Sequence, residues 1–355
     1  MRIAVTGASG NVGSALLRRL VGEGHHAVGV VRRPPLGSGH PFDRVQWVSA
    51  DLSDDSALTP LRTAFGGADA VVHLAWGFQP SHEQAYLEEL GLGGTRRVVE
   101  AVRATGVPHL IHLSSLGAYA PKRDDDPVDE TWPTNGIPTS WYSRTKAAAE
   151  RLLDTYEKED GAALVTRMRP GIIGQRTAGS SLLRYGVPGI VPARTLRWLP
   201  VLPLDSRLRV SMVHSDDVAA AIDLALQRQA AGPFNLAADD PVTAATMAEV
   251  MDARLLSVPS AALRGLASAS WRVGVQPVDP GWLDMAFSIP LLDASRAKAV
   301  LGWRPTKEAR EVFAETISGM LDGSSDDTPV LRPRSVPASL RTAMRRGPVA
   351  HRRRP

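Results

Sequence analysis

The sequence has 355 residues and no cysteine, which excludes disulfide bonds and thiolate chemistry. Hydrophobic residues make up 43% of the chain and charged residues 22%, as in ordinary globular proteins, and no run of about 18 apolar residues predicts a membrane span. Because no signal peptide precedes a first strand that starts at residue 2, we expect a cytoplasmic protein.

The net charge of +4 is distributed unevenly along the chain. From residue 324 onward, eight arginines and two aspartates give a charge of +6, so residues 1–323 carry −2. Residues 323–355 also contain several prolines and serines and few large apolar residues, which is typical of disorder. We therefore predict a disordered, solvated basic tail and expect no nucleic-acid partner.

The first predicted strand, at residues 3–5, leads into a glycine-rich turn and a helix with apolar residues at helical spacing over residues 12–21. The turn has the sequence Thr6-Gly7-Ala8-Ser9-Gly10-Asn11-Val12-Gly13, in which the glycines follow G-x-x-G-x-x-G and not G-x-G-x-x-G. Backbone N–H groups without side chains over them, together with a helix N-terminus, favour a pyrophosphate. The alternative is a tight turn that binds no ligand.

A second strand is predicted at residues 27–31, and Arg32 and Arg33 follow it directly. In NAD-binding folds, a carboxylate near the end of this strand binds the adenosine ribose. A guanidinium at that place suits a 2′-phosphate instead, which favours NADP as the cofactor and leaves NAD as the alternative. The competing interpretation is that both arginines are only solvated at the end of the strand.

Strands alternate with helices through the first half of the chain. Further strands are predicted at residues 45–49, 70–75, 109–113 and 164–168, and helices over residues 53–65, 81–105 and 141–158. This alternation predicts an α/β protein with a Rossmann-type, doubly wound parallel sheet, in which ligands bind at the C-terminal ends of the strands. The residues predicted at such ends, and hence in one crevice, are Gly7, Arg32, Asp51, Ala75 and Ser115.

Beyond Pro170 the sequence becomes irregular and rich in glycine, proline and arginine, which predicts a smaller α/β lobe. Short strands are predicted at residues 212–214 and 234–236. Three helices are predicted: one over residues 218–226, one that starts at Thr243, and one that ends at Leu301. We predict a cofactor-binding domain over residues 1–170 that is completed by parts of 210–240. A mainly substrate-binding lobe is predicted over 171–322, and the tail over 323–355.

Ser115, Tyr142 and Lys146 are the predicted catalytic residues. Tyr142 and Lys146 are four residues apart and share one helix face. The lysine charge should favour the phenolate of a tyrosine, whose ordinary pKa is about 10. The phenol then exchanges a proton with a substrate oxygen that Ser115 holds, while a nicotinamide cofactor moves a hydride.

Other chemistry-bearing side chains are assigned structural roles. His73, His112 and His214 show no metal-ligand spacing, so we predict structural histidines and no metal site. Tryptophans such as Trp198 and Trp282 are predicted to pack in the core or in a lid, with a slight preference for an apolar or aromatic substrate.

These motifs make residues 1–320 or so similar to the extended short-chain dehydrogenases/reductases, the NAD-dependent epimerase/dehydratase family. The resemblance implies a general acid/base role for Tyr142, an orienting role for Ser115, and a Lys146 that tunes the tyrosine and binds the nicotinamide ribose. It also implies a homodimer through the helix that carries Tyr142 and Lys146. The residues predicted to bind the cofactor, from the motifs and the resemblance together, are Thr6, Gly7, Ser9, Gly10, Asn11, Val12, Gly13, Arg32, Arg33, Asp51, Leu52, Leu74, Ala75, Tyr142, Lys146, Pro170, Ile172 and Ile173.

Three positions depart from the family's pattern. Gly91 stands where the family usually has an asparagine that kinks the helix and relays protons. The pair Leu116-Gly117 follows the active-site serine where dehydratases carry Asp-Glu, so dehydration is disfavoured. Val210 stands where sugar-nucleotide epimerases tend to have an arginine that clamps the diphosphate, with Arg209 beside it.

The leading hypothesis is an NADP-dependent oxidoreductase that transfers a hydride at a carbonyl or secondary alcohol of a small molecule. The alternative is an epimerase of a sugar or sugar nucleotide, in which the hydride leaves and returns within one turnover. A third hypothesis is a non-catalytic NADP-binding sensor, which predicts no exposed substrate cleft at Tyr142. The intact Tyr142 and Lys146 disfavour the sensor.

Overall fold

The computed structural model describes residues 1–35, 37–78, 80, 82–186, 200–273 and 278–333. Its strands are β1 (Arg2–Thr6), β2 (His26–Val31), β3 (Gln46–Ser49), β4 (Ala70–His73), β5 (His109–Leu113), β6 (Leu164–Pro170), β7 (Ile172–Gly174), β8 (Val201–Leu204), β9 (Arg209–Val210), β10 (Met212–His214), β11 (Gly232–Leu236), β12 (Val242–Thr243) and β13 (Arg254–Ser257). Its helices are α1 (Asn11–Gly22), α2 (Leu58–Phe65), α3 (Gln84–Glu88), α4 (Gly94–Thr105), α5 (Trp141–Tyr156), α6 (Gly179–Gly186), α7 (Ser215–Arg228), α8 (Ala244–Val250), α9 (Ser260–Arg272), α10 (Pro280–Ser288), α11 (Ser295–Leu301) and α12 (Ala309–Asp322).

Within these ranges, seven strands form one sheet in the order β11-β6-β5-β4-β1-β2-β3. Every neighbouring pair in this sheet is parallel. The order reverses between β1 and β4, and ligands of doubly wound sheets bind outside the strand ends at such a switch point. The predicted Rossmann-type α/β fold is confirmed.

The central strand β1 is buried on both faces, as the strands of a parallel sheet must be. Ile3 and Val5 pack into a core with α1 and α7, whereas Ala4 points to the opposite face and packs into a core with α2 and α4. All three side chains are fully buried. The apolar run at residues 3–5 therefore anchors β1 in the cores on both faces of the sheet. This anchoring holds the start of the glycine turn in place.

One predicted helix has a different course. Residues 81–105 were expected to form a single helix, but α3 and α4 are joined by a π-helical turn at Glu89–Gly93. Gly91 and Gly93 lie in this turn. A Cβ atom on Gly91 would lie close to Trp76, and one on Gly93 would lie close to Glu89. Such single π turns occur often at functional sites.

The region after β6 forms several small units. Three two-stranded sheets pair β10 with β7, β12 with β9 and β13 with β8. The helices α6, α9, α10 and α12 were not predicted, and no residue of α9 is buried. The predicted domain boundaries at residues 170 and 322 stay a prediction.

The start of the predicted disordered tail differs from the expectation. Residues 323–333 follow α12 and pack against the rest of the chain, with Leu331 fully buried and Thr328 2% exposed. Composition predicted disorder because this stretch has few large apolar residues, but one anchored leucine and several backbone hydrogen bonds hold it. Residues 334–355, with the other tail arginines, lie outside the described residues.

Candidate active site

The glycine turn after β1 has room for a phosphate only because its glycines lack side chains. Gly7 has φ of 70°, and a Cβ there would lie 2.7 Å from the Ala75 nitrogen. A Cβ on Gly13 would lie 2.4 Å from the Gly7 carbonyl oxygen. Gly10 caps α1 without a side-chain hydrogen bond, so the N-terminus of α1 keeps its N–H groups for an anion. The turn fits a dinucleotide pyrophosphate.

A buried hydrogen-bond chain ties the turn to β4. Oγ1 of Thr6 lies 2.7 Å from Nδ1 of His73, whose Nε2 lies 3.1 Å from Oγ1 of Thr95. Burial, and then the charge of Lys146, lowers the pKa of His73 to about 3, so this imidazole is neutral. His73 therefore connects β1, β4 and α4.

The loop predicted to pack over the nicotinamide is attached to the same turn. Nδ2 of Asn11 donates to the Ile173 carbonyl over 3.2 Å, and Nε2 of Gln175 donates to Oδ1 of Asn11 over 2.6 Å. Ile172 is 43% exposed beside them. The structure thus brings β7 next to the glycine turn, whereas Gln175 was not singled out from the sequence.

The strand ends that were predicted to receive the adenosine also lie nearby. Asp51 follows β3, and its Oδ1 accepts hydrogen bonds from the backbone nitrogen and the hydroxyl of Ser53. Leu52 is 4% exposed and packs against Gly94. Ala75, after β4, approaches Gly7.

Arg32 and Arg33 extend from the end of β2. Nη1 of Arg32 donates to the Tyr86 hydroxyl over 2.8 Å. Partial burial, then the charges of Arg332 and Arg32, lowers the pKa of Arg33. The positive charges of Arg32 and Arg332 thus act on Arg33. Arg332 belongs to the segment that was assigned to the tail from its composition.

Ser115 and Tyr142 meet at the C-terminal end of β5. Oγ of Ser115 accepts from the Gly117 backbone nitrogen over 3.0 Å and also forms a hydrogen bond with the Tyr142 phenol. A Cβ on Gly117 would lie 3.0 Å from Cε1 of Tyr142, so the small residue allows the ring to approach. The glycine that replaces the dehydratase acid is therefore needed for packing.

The protonation state of Tyr142 differs from the expectation that Lys146 favours a phenolate. Burial raises the pKa of Tyr142 to about 12, and the hydrogen bond from Ser115 opposes this only in part. Burial lowers the pKa of Lys146 to about 7, against the charge of Glu150. The Lys146 ammonium donates to the Leu113 carbonyl over 2.8 Å. The phenol is thus protonated at neutral pH.

Three aromatic rings, Trp76, Phe78 and Trp282, surround Tyr142, and we call them the aromatic cover. Trp282 stacks on Tyr142 with the ring centroids 5.1 Å apart, and Phe78 meets Tyr142 edge-on at 5.4 Å. Tyr142 is 7% exposed, whereas Phe78 is 46% exposed. Sequence reasoning missed Trp76 and Phe78, although both closely follow the recognised His73-Leu74-Ala75 segment. Trp198 lies outside the described residues.

Trp76 fills the place that Gly91 leaves open. A Cβ on Gly91 would lie 3.0 Å from Cε2 and Cζ2 of the indole. The face of the same ring lies 3.6 Å from the Lys146 ammonium, which is close for a cation–π contact. The indole Nε1 is buried and finds no hydrogen-bond partner among the described residues. Trp76 and Gly91 thus form a complementary pair beside Lys146.

This packing makes Gly91→Asn destabilising, even though it restores the residue usual in the family. The asparagine would collide with the Trp76 ring, and such overpacking costs about 1–3 kcal/mol. Urea unfolding should show this loss, and most of it should disappear when Gly91→Asn is introduced into a Trp76→Ala chain and compared with that chain. The matched control is Gly265→Asn in α9, where a Cβ meets nothing within 4 Å. Equal effects of the two asparagines would contradict the pairing.

A buried ionic cluster lies on the inner side of α5. Both oxygens of Glu150 accept from Arg169, over 2.9 Å each, and one also accepts from the Ser114 hydroxyl over 2.5 Å. Arg167 contributes a further contact of 3.0 Å. Burial favours the neutral acid, but Arg169, Ser114 and Arg167 together hold the pKa of Glu150 at about 2. Glu150 follows Lys146 by one helical turn, and that spacing could have indicated it.

No helix in the described ranges is long and apolar enough to cross a membrane. The same residues contain no cluster of three or more histidine, aspartate or glutamate side chains that could hold a metal ion.

Known proteins similar to this chain include enzymes of two kinds. A 3-diazoavenalumate denitrifying reductase from a Streptomyces species is 29% identical over 86% of this chain and 96% of its own. An uncharacterized Mycobacterium tuberculosis protein, Rv2047c, is 27% identical over 89% of this chain, which spans 29% of that protein. The structure of Thermus thermophilus UDP-glucose 4-epimerase in complex with NAD superposes with a TM-score of 0.65 at 22% identity, covering 91% of this chain and all of that one.

The sequence model of the NAD-dependent epimerase/dehydratase family matches residues 3–237, which include the glycine turn, the Ser115, Tyr142 and Lys146 site and the whole seven-stranded sheet. Relatives of the chain include reductases and epimerases. The chain is an enzyme that belongs to the NAD-dependent epimerase/dehydratase family.

Proposed function

We propose that this enzyme is an NADP-dependent reductase of an apolar, aromatic carbonyl compound. The observation that carries the proposal is the aromatic cover over Tyr142, since any carbonyl group that reaches this phenol must lie among aromatic rings. Stacked and edge-on ring contacts favour an aromatic ligand beyond its apolar area. The related reductase adds support for reduction.

Tyr142 and Ser115 then transfer the proton to the substrate and orient its oxygen. The Tyr142 phenol, protonated at neutral pH, donates to the carbonyl oxygen as that oxygen gains negative charge, and the Ser115 hydroxyl orients the same oxygen. When bound, the nicotinamide cofactor supplies the hydride that reaches the carbonyl carbon. The product is an alcohol, which contains the added hydride and the proton from Tyr142. Lys146 lies beside the site with a pKa of about 7, so it is only partly protonated at neutral pH.

The cofactor is held by the glycine turn and by Arg32 and Arg33. The cradle at Gly7 and Gly13 and the uncapped N-terminus of α1 take the pyrophosphate. The guanidinium groups at the end of β2 take the 2′-phosphate of NADP and favour it over NAD. Asp51, Leu52, Ala75, Ile172 and Ile173 complete the binding site.

The lobe side of the site disfavours a sugar nucleotide. Val210, at the position of the usual arginine, is 3% exposed. Arg209 forms an ion pair of 3.5 Å with Asp125, and both side chains are about half exposed. Neither residue offers the diphosphate clamp of a sugar-nucleotide epimerase.

The test is a substrate screen with the purified chain. Aromatic aldehydes and ketones are supplied with NADPH or NADH, and the absorbance of the reduced nicotinamide is followed. We expect consumption of NADPH with aromatic carbonyls and faster turnover than with NADH. A separate reaction supplies UDP-sugars with the oxidised cofactors, and interconversion of the sugars without net reduction of the cofactor would show an epimerase and overturn the proposal. Cofactor binding without turnover of any of these compounds would favour the sensor hypothesis.

A further inference from the structure

Residues 324–332, which we call the strap, run from the end of α12 to the glycine turn. The strap begins at Ser324, whose carbonyl accepts from the Ser180 nitrogen over 2.8 Å. Asp326 accepts from Nη1 of Arg18, on α1, over 3.2 Å. The strap is therefore fixed to the helix whose N-terminus faces the pyrophosphate site.

The middle of the strap contacts the glycine turn itself. Oγ1 of Thr328 donates to the Ser9 carbonyl over 2.8 Å and accepts from the Leu331 nitrogen over 3.2 Å. The Asp326 nitrogen donates to the Leu331 carbonyl over 3.0 Å, which closes the strap into a compact loop. Because Leu331 is fully buried, the residue after it is held in a defined place.

The other side of the strap contacts the loop that follows β2. Oγ of Ser38 donates to the Asp327 carbonyl over 2.7 Å. Arg332 directly follows the anchored Leu331, and its charge acts on Arg33, as the charge of Arg32 does. Both Arg33 and Arg332 are exposed residues. The strap's contacts with Ser38 and Ser9 and the buried Leu331 thus place Arg332 on the side of the glycine turn where Arg32 and Arg33 end β2.

Guanidinium groups near one another repel because all carry positive charge. A phosphate dianion bound between them attracts each of them and offsets this repulsion. We propose that Arg332 is a third ligand of the cofactor's 2′-phosphate and that the strap forms the outer wall of the adenosine pocket. The proposal rests on the proposed function for the identity of the cofactor as NADP(H). It adds a specificity-determining residue that lies outside the sheet and outside the residues that match the family.

Equilibrium titrations of the full chain with NADPH, NADH and 2′,5′-ADP test this role. We expect Arg332→Ala to weaken NADPH and 2′,5′-ADP about tenfold, the usual effect of losing one charge-assisted hydrogen bond, and to leave NADH unchanged. Thr328→Val should cause a smaller loss with the same pattern because it releases the strap from Ser9. The control is Arg310→Ala, which removes the same charge from an exposed ion pair with Glu249 and should change none of the three affinities.

The outcomes separate this proposal from the proposed function. If the unmodified chain prefers NADPH and Arg332→Ala keeps that preference in full, Arg332 is not a phosphate ligand, but the NADP assignment stands. If the unmodified chain binds NADH as tightly as NADPH, both the NADP assignment and the role of Arg332 are wrong. If Arg332→Ala weakens NADPH and NADH equally, the strap only supports the fold, and the proposed ligand is overturned.

Discussion

Replacement of Tyr142 by phenylalanine is expected to lower kcat for NADPH-dependent reduction by roughly 10²–10⁴-fold, the range typical for loss of a general acid. The substitution removes the hydroxyl that donates the proton and leaves a ring of the same shape under Trp282. Affinity for NADPH should fall far less than kcat, since Tyr142 is only one of the predicted cofactor contacts and the cofactor's phosphates are held elsewhere. Steady-state kinetics and a fluorescence titration of NADPH measure the two quantities separately.

The same helix supplies a matched control for this experiment. Tyr156 is also buried, and its hydroxyl accepts a hydrogen bond from the Ala163 nitrogen over 2.9 Å at the far end of α5. Tyr156→Phe therefore removes an equivalent group without touching the site and should leave kcat unchanged. Equal turnover in the Tyr142→Phe chain and the unmodified chain would rule out Tyr142 as the proton donor.

The largest expected effect on stability comes from Glu150→Gln. The neutral amide leaves Arg169 buried without its carboxylate, and breaking a buried ion pair in this way costs about 3–5 kcal/mol. The control is Glu159→Gln, which breaks an exposed pair with Arg103 and should cost less than about 1 kcal/mol. Urea unfolding at neutral pH compares the two variants.

Acid adds a second test of the Glu150 cluster. The pKa of Glu150 is about 2 in the folded chain and 4.5 as its ordinary value. The folded state therefore binds fewer protons in this window, so the stabilisation from Glu150 is complete above pH 4.5 and is lost as the pH falls toward 2. The difference in unfolding free energy between the unmodified chain and Glu150→Gln should shrink over that range. A difference that stays constant from neutral pH to pH 3 would contradict this role.

The glycine turn and the helix that carries Tyr142 and Lys146 could be predicted because their signals are local. The glycines at positions 7 and 13 must be small for backbone contacts within the turn and with the neighbouring strand. Tyr142 and Lys146 are four residues apart, so helix geometry alone places both side chains on one face of α5. A strand followed by a glycine turn and a helix fixes its own place in a doubly wound sheet, so the fold followed from these short segments.

The substrate side could not be predicted because its contacts join distant residues. Trp282 stacks on a tyrosine 140 positions earlier, and nothing near either residue in the sequence indicates the contact. The pKa of Tyr142 also depends on burial by such distant groups, and this burial raises it to about 12, which the nearby lysine alone does not indicate. The strap was assigned to the tail because composition averages over a window, whereas a single buried leucine fixes this segment.

The position of β11 at the edge of the sheet has a consequence for synthesis on the ribosome. β6 ends at residue 170, but its outer partner β11 begins only at residue 232. A nascent chain that has emerged as far as the site residues Tyr142 and Lys146 therefore has an unpaired strand edge, a template for aggregation, until residues 171–231 have followed. We expect chains that end between residues 171 and 231 to be captured by chaperones, and chains that extend past residue 236 to escape them.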